Sequence, residues 1–491
     1  MKITRISGID SATAIIMNAD MKPKLMVLLL LLMFLGGCAS LAARGLLPDV
    51  QARRPPDIDL GRELVIFNEP PLHNASFIGT DGRAHLFLTD GKRQLHHIEV
   101  MGDSVVKKEI LGLFESKETR ALDAVEFPAG KFRVLVGDRQ YVRAAPGSLW
   151  QEIRGNRCER FLPRRDTLFC AFVIAGDAVG APQRTDYTVG WIILVPWVSW
   201  SNTYATKLVV AQETNEVWII RAVIDPETNR DADRDFVAAT DREGTLHFLY
   251  GTSRGGGMFA VVVGAAPGAI GGGFVGPDPE LRYARVALDR LTSLSADEHA
   301  LVSTPETPTE WQSISGTTLP VGQAQRPLAR RFTLNQASRE VSGLTLGRYK
   351  VKFIGGKRQF EISGESYDCC TLMEVGILDG SWLPRLEVVL AEELPDSTYR
   401  AFADPVIGSD GTGNLYALVE HSTVGLWSSD HFIDYLVKAG NNWTAPVTLG
   451  TSAGSGTARM LAVTDSGTVF ATWVNKDDKF VGRWISLRKA E

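Results

Sequence analysis

One pattern constrains this 491-residue chain more than any other: a strand, a tight turn built on Thr/Ser-Asp and Gly, and a second strand. It is read in Phe77–Leu88, around Thr80-Asp81-Gly82, and again in Phe236–Tyr250, around Thr240-Asp241 and Gly244. Further copies run Val406–Val419, around Ser409-Asp410-Gly411, and Leu461–Trp473, around Thr464-Asp465-Ser466-Gly467. An Asp carboxylate can accept hydrogen bonds from backbone N–H groups just ahead of it, and Gly takes the positive φ that a tight reversal needs. The flanking stretches, rich in Val, Ile, Thr, Leu and aromatic residues, then pair as a hairpin.

The spacing of the copies predicts the architecture. Asp81 to Asp241 is 160 residues, Asp241 to Asp410 is 169, and Asp410 to Asp465 is 55, so the long gaps are close to three times the short one. Weaker candidates fall near the missing registers, at Pro128-Ala129-Gly130 and at Thr185-Asp186. A period near 50 with several short strands in each unit reads as propeller blades. The fold class is therefore all-β, a β-propeller of six to eight blades. Taken literally the arithmetic gives eight, and a long insertion such as Gly251–Pro277 can absorb one period. The alternative is two β-sandwich domains with similar turns. The roughly 430 residues beyond position 60 suffice for one large all-β domain or two or three ordinary ones.

The repeat resembles the blades of sialidase-like (BNR-like) β-propellers. It departs from their Asp-box, in which a Ser or Thr lies two residues before the Asp. Here positions 79, 239, 408 and 463 are Gly, Ala, Gly and Val, and the hydroxyl residue stands immediately before the Asp. The resemblance implies the fold and not sialidase activity, because propellers host many unrelated functions.

The N-terminal region carries an address. Lys22 and Lys24 precede the apolar run Leu25–Leu35, which ends in Gly36-Gly37-Cys38. A short positive segment, an apolar core and small residues before a cut form an export signal. The apolar run is shorter than the roughly 20 residues of a spanning helix. The segment resembles the bacterial lipoprotein signal with its lipobox, which implies acylation of Cys38 (palmitate among the chains) and attachment to the membrane. Ala39 stands where such lipoproteins carry Asp for inner-membrane retention, so the resemblance points to the outer membrane. The expected organisation is residues 1–20 as an over-long start with Met21 as initiator, 21–37 as signal, 38–60 as a lipidated tether and 61–491 as the propeller-like domain.

Charge and cysteine usage narrow the partners. The chain has 52 basic and 57 acidic residues and no basic block, which argues against nucleic acid. Apart from Cys38 there are Cys158, Cys170, Cys369 and Cys370. Exported chains can oxidise such thiols. Cys158 and Cys170 bracket the turn Arg164-Arg165-Asp166 and are expected to pair, whereas the adjacent Cys369-Cys370 could bridge each other only with strain.

Two apolar stretches invite a membrane reading that their length and composition oppose. Trp191–Trp200 contains Pro196 and reads as a buried strand that ends in a loop; Gly255–Gly276 reads as a strand, Met258–Val263, feeding a mobile glycine-rich loop.

Candidate chemistry is sparse. If Asp90-Gly91 is a two-residue turn, Thr89 faces Lys92 and His85 lies opposite His96, with His97 pointing the other way. Two ligands do not make a metal site, so the reading is a surface histidine pair. Asp231, Asp233 and Asp235 alternate as Ca²⁺ ligands can, but Phe236 and Arg242 stand where an EF-hand needs Gly and Glu, and a solvated inter-strand loop is expected. There is no Gly-x-Ser-x-Gly, His-Glu-x-x-His, phosphate loop or paired Cys-x-x-Cys. No metal, cofactor or catalytic residue follows. The expectation is an envelope module that binds a protein or glycan through one propeller face; the alternative is a hydrolase or lyase acting on envelope carbohydrate.

Overall fold

The computed structural model describes residues 54–113, 122–137, 139–145, 147–154, 158–192, 195–214, 217–253, 258–262, 270–274, 280–292, 312–314, 317–318, 332–335, 338–354, 357–365, 371–378, 381–391, 399–424, 429–454 and 459–488. The export signal, Cys38, the tether up to residue 53 and Cys369-Cys370 lie outside the described residues.

The chain is all-β. Seven sheets of mainly antiparallel strands follow one another along the sequence, and their innermost strands touch in a closed ring. These strands are His73–Ile78 in blade 1, Leu122–Glu126 in blade 2, Arg160–Arg164 in blade 3 and Asp231–Thr240 in blade 4. Blades 5 to 7 begin with Phe332–Asn335, Tyr399–Ser409 and Met460–Val463. Each contacts the next, and blade 7 returns to blade 1. A ring of seven excludes a pair of sandwiches.

Alternation explains the ring. The second strands bury side chains on both faces, so successive residues serve different neighbours. In Ala84–Thr89, Ala84, Leu86 and Leu88 pack toward blade 7, whereas Phe87 packs toward blade 2. In Leu415–Val424, Leu415, Ala417 and Val419 face blade 5, whereas Tyr416 and Leu418 face blade 7. Seven apolar clusters result, one between each pair of neighbours.

The recurring turn joins the first and second strands. In blade 4, Asp241 N–H donates to Thr245 O (2.9 Å) and Gly244 N–H to Asp241 O (3.0 Å), with Gly244 at φ +88°. This is a three-residue hairpin loop with a glycine bulge. Gly79–Arg83, Asp410–Asn414 and Thr464–Thr468 make the same pair of bonds, with Gly82, Gly413 and Gly467 in the left-handed region. The structural equivalents are thus Gly79, Asp241, Asp410 and Thr464, not the four aspartates. Asp81 and Asp465 sit inside the loop. Pro128-Ala129-Gly130 is the corresponding turn of blade 2, with Gly130 at φ +80°. Thr185-Asp186, expected to be another, instead lies inside a strand, Gln183–Ile192.

Insertions account for the irregular period. Gln183–Ile192 and Val195–Tyr204 form a hairpin between the second and third strands of blade 3. The Trp191–Trp200 stretch therefore spans the ends of two strands rather than one. Met258–Val262 and Ile270–Phe274 form a second hairpin in the matching connection of blade 4, so the glycine-rich segment contributes a further strand. The two hairpins join through parallel pairing of Thr188–Trp191 with Met258–Val261, making an eighth sheet that is not a blade. Blade 5 extends its second strand, Glu340–Ile354, which pairs beyond the blade with Lys357–Glu365.

The ring closes through the N-terminal part of the described chain. Ile58–Leu60 pairs with Ile485–Leu487, and Leu64–Phe67 pairs along Phe480–Gly482, so segments from the two ends of the sequence share blade 7. Ile58–Leu60 belongs to the expected tether; its strand partner draws it into the fold. Among the described residues no helix is long and apolar enough to cross a membrane.

The turn geometry generates a prediction. Asp410 is buried, and its carboxylate accepts from the N–H groups of Thr412 and Asn414 and from the Tyr416 hydroxyl (2.8, 3.0 and 2.7 Å). Asp410→Ala leaves that hydroxyl buried without an acceptor and should cost about 1–3 kcal/mol in chemical denaturation. Asp465→Ala, at an exposed loop position, should stay within about 0.5 kcal/mol.

Candidate functional site at the centre of the ring

The innermost strands enclose a funnel of about 440 Å³ to which all seven blades contribute lining residues. That volume lies in the ~300–1,000 Å³ range of small-ligand sites. Its charged lining is concentrated in neighbouring blades: Asp123 from blade 2, Glu159 and Arg160 from blade 3, and Arg234 from blade 4, with Arg459 across the ring from blade 7.

These groups sit where the chain enters the innermost strands. Asp123 accepts the N–H of Phe161 (2.7 Å) and lies 3.7 Å from the Arg160 guanidinium. Burial pushes the Asp123 carboxyl above its ordinary value, while Arg160 and the N–H bond oppose the shift. Glu159 accepts the N–H of Val173 (3.2 Å) and stands 4.0 Å from Arg234. Arg234 keeps 48% of its side chain exposed and Arg160 keeps 36%, so both cations remain available to a ligand. Arg459 is buried and bound to Glu420 (2.8 Å).

The mouth can be placed by strand direction. In each blade the innermost strand starts at the charged end and the second strand returns to it. Connections from second to third strands therefore lie on the mouth face. That is the face from which the inserted hairpins of blades 3 and 4 and the extension of blade 5 arise. The recurring Asp/Gly turns lie on the opposite face.

A disulfide braces this arc. Cys158 and Cys170 are bonded, with Cα atoms 5.7 Å apart, in the core between blades 2 and 3. The bond ties the backbone just before Glu159 and Arg160 to the second strand of blade 3. Closing a loop of this size contributes ~3 kcal/mol in the chain-entropy model.

The histidines do not form the expected surface pair. Asp90 opens a three-residue loop, Gly91-Lys92-Arg93, in which Arg93 takes φ +64°. Thr89 consequently faces Leu95, and His85 faces Glu99. An odd shift of register reverses which residues share a face. His85 meets His97, with Nδ1 to Nε2 at 3.1 Å, while His96 turns away to Asp90 (2.9 Å). All three rings are buried. Asp231–Thr240 is likewise a strand and not a solvated loop; its register is irregular between Ala232 and Phe236, where Arg234 lines the funnel.

Sequence reasoning missed the funnel residues. Asp123 stands seven positions before the turn Gly130 and Arg234 ten before Gly244, a count that would find both; the turn of blade 3 has no glycine, so no such signal marks Glu159 and Arg160.

No protein-family model and no curated protein matches the chain. Solved structures similar to it include Drosophila Semaphorin 1a extracellular domains 1–2, at 9% identity over 87% of this chain and 89% of that one, with TM-score 0.40. A PL25 polysaccharide lyase (ulvan lyase) matches at 9% identity over 88% and 94%, with TM-score 0.39. The endo-arabinase of Bacteroides thetaiotaomicron matches at 10% identity over 88% and 98%, with TM-score 0.29. The propeller assignment rests on the closed ring of sheets and not on these distant likenesses.

The buried carboxylates predict an acid response. Burial opposes ionisation of Asp241 and Asp410, yet hydrogen bonds from the turn N–H groups and from His247 or Tyr416 hold both below the ordinary carboxylate value. Glu109 is held at about 2: burial raises it, and bonds from His97, Lys107 and Trp150 outweigh that. Groups with depressed values stabilise the fold above the unfolded carboxylate value, near 4, and lose that contribution as pH falls through the folded value. The urea midpoint should therefore fall from about pH 5 to about pH 3, and Asp241→Asn should flatten the decline.

Proposed function

We propose that this protein is a lipid-anchored component of the cell envelope whose propeller holds a glycan in the central funnel. The observation that carries the binding reading is the arc of alternating charge, Asp123, Arg160, Glu159 and Arg234, on the wall of a concave site. Neighbouring sugar hydroxyls both donate and accept hydrogen bonds. A wall that sets guanidinium donors beside carboxylate acceptors meets both needs, and an Arg fork also pairs bidentately with a sugar carboxylate. Both carboxylates are held by backbone N–H groups and face arginines, which suits a fixed binding surface.

A second reading, a carbohydrate hydrolase or lyase, is favoured by one observation. The Asp123 carboxyl is raised by burial, as a general acid requires. Full-length protein in detergent, titrated calorimetrically with neutral and uronate-containing oligosaccharides, separates the readings. Arg234→Ala should weaken binding roughly ten- to a hundredfold, the worth of one or two hydrogen bonds to a charged group. Unchanged oligosaccharides after prolonged incubation support binding alone; cleavage that Asp123→Asn abolishes supports the enzyme. Recovery of a protein partner without any glycan binding would sink both.

The anchor is proposed at Cys38, the thiol that follows the small pair Gly36-Gly37. A single acyl chain binds membranes only marginally, whereas two or more anchor stably. The processed protein should take up labelled lipid and fractionate with membranes. Cys38→Ser should abolish labelling and release the protein or leave its signal attached.

A further inference from the structure

Between blades 1 and 2, away from the funnel residues discussed above, two imidazoles face each other in the dry interior. His85 Nδ1 lies 3.1 Å from His97 Nε2, and both rings are fully buried. The far nitrogen of each ring meets a carboxylate: His97 Nδ1 is 2.8 Å from Glu109, and His85 Nε2 is 3.3 Å from Asp81. These are three contacts, each needing one hydrogen, and two neutral imidazoles bring only two. When each far N–H is donated to its carboxylate, the near nitrogens confront each other as lone pairs. A cation between them removes that repulsion.

Both rings are fully buried, so a charge held between them needs an anionic partner at hand. A third donor stands ready for a metal. Glu99 presents an oxygen 4.0 Å from His97 Nε2, and the donor atoms of His85, His97 and Glu99 all lie within 4.8 Å of one another. Zinc–nitrogen bonds of ~2.0–2.1 Å set tetrahedral donors ~3.3 Å apart, close to the 3.1 Å between the two imidazole nitrogens, and Glu99 must close in from 4.0 Å. We propose that His85, His97 and Glu99 bind a divalent transition-metal ion of the zinc class, with the two histidines oriented by Asp81 and Glu109. Two imidazoles and one carboxylate suit zinc better than calcium or magnesium. A carboxylate on the far nitrogen is the usual support of a metal-ligating histidine.

The sequence prepares this place. Where blades 4 and 6 have Asp241 and Asp410, blade 1 has Gly79, and a Cβ there would stand 2.9 Å from His85 Nε2. His85 occupies the position of His247 and Tyr416, which their turn aspartates hold. In blade 1 the carboxylate comes from Asp81 instead. The surroundings are rigid: Phe132 and Trp150 pack on the rings, and Trp150 Nε1–H donates to Glu109 (3.0 Å). Three cations compete for Glu99, Arg83 at 2.7 Å on one oxygen and Arg143 at 3.2 Å and Lys107 at 4.0 Å on the other, so the latter two must share that oxygen with the ion.

The test uses full-length protein purified without a histidine tag, stripped with chelator and dialysed against Zn²⁺. Elemental analysis should find roughly one zinc per chain, and Co²⁺ in its place should give the visible bands of a tetrahedral or five-coordinate site. His97→Ala should abolish binding, and Glu109→Gln should weaken it roughly ten- to a hundredfold while keeping the ring packing. His96→Ala, outside the donor set, should leave binding intact. Only trace zinc in the wild type, or equal binding by folded His97→Ala protein, overturns the proposal. If His97→Ala does not fold, the affinity of Glu109→Gln decides: a value equal to wild type overturns it.

Discussion

The pairing of Ile58–Leu60 and Leu64–Phe67 with Phe480–Leu487 is the contact on which the rest of the ring depends. Without it, blade 7 would present an open strand edge, and the core it shares with blade 1 would lose Ile66 and Phe67. Unpaired edges template aggregation and leave backbone groups without partners. The strand also joins segments more than 400 residues apart in sequence, so its loop-closure entropy is met only when all intervening blades stand in order. Each blade buries both faces of its second strand against two neighbours. No blade is self-sufficient, and the closing strand turns seven partial cores into a continuous circuit.

Inside that circuit, buried charge follows a consistent logic. A buried ion is tolerable when its remaining hydrogen-bonding capacity is met by the backbone or by an opposite charge. The turn aspartates satisfy this with N–H groups and the His or Tyr six residues on, as in Asp241 with His247. Glu374, between blades 5 and 6, does so with Lys438 and Trp443 (2.7 and 2.6 Å). The funnel differs. There Arg160 and Arg234 are held by longer ion-pair contacts and stay partly exposed, so part of their donor capacity faces solvent.

How much of this was legible in the sequence follows from the range of each interaction. The turns were legible because a glycine at positive φ and an Asp or Thr acceptor lie within a few residues, and that signal gave the all-β class and the blade range. Alignment on aspartate instead of glycine misplaced Asp81 and Asp465, because two carboxylate positions can serve one turn. The hairpin after Thr89 was misread because Arg93, not glycine, takes the left-handed conformation, and the resulting odd shift exchanged His96 for His97. The charged arc was invisible locally, since Asp123, Glu159 and Arg234 come from three blades and meet only when the ring closes.

Repetition builds the scaffold, and the departures from repetition are where chemistry collects. Blade 1 replaces the turn aspartate with Gly79, takes the carboxylate from Asp81 instead, and turns the second nitrogen of His85 to His97. Blades 3, 4 and 5 lengthen their second-to-third connections, all on the mouth face. Blades 2 to 4 put Asp123, Arg160 and Arg234 on the funnel wall, where blade 6 contributes Val406 and Ile407. A ring of identical blades would present equivalent surfaces all round and bind nothing in one orientation. Charge on neighbouring blades, beneath insertions rising from blades 3 to 5, gives the funnel a direction, and a site with a direction can distinguish the two ends of a chain-like ligand.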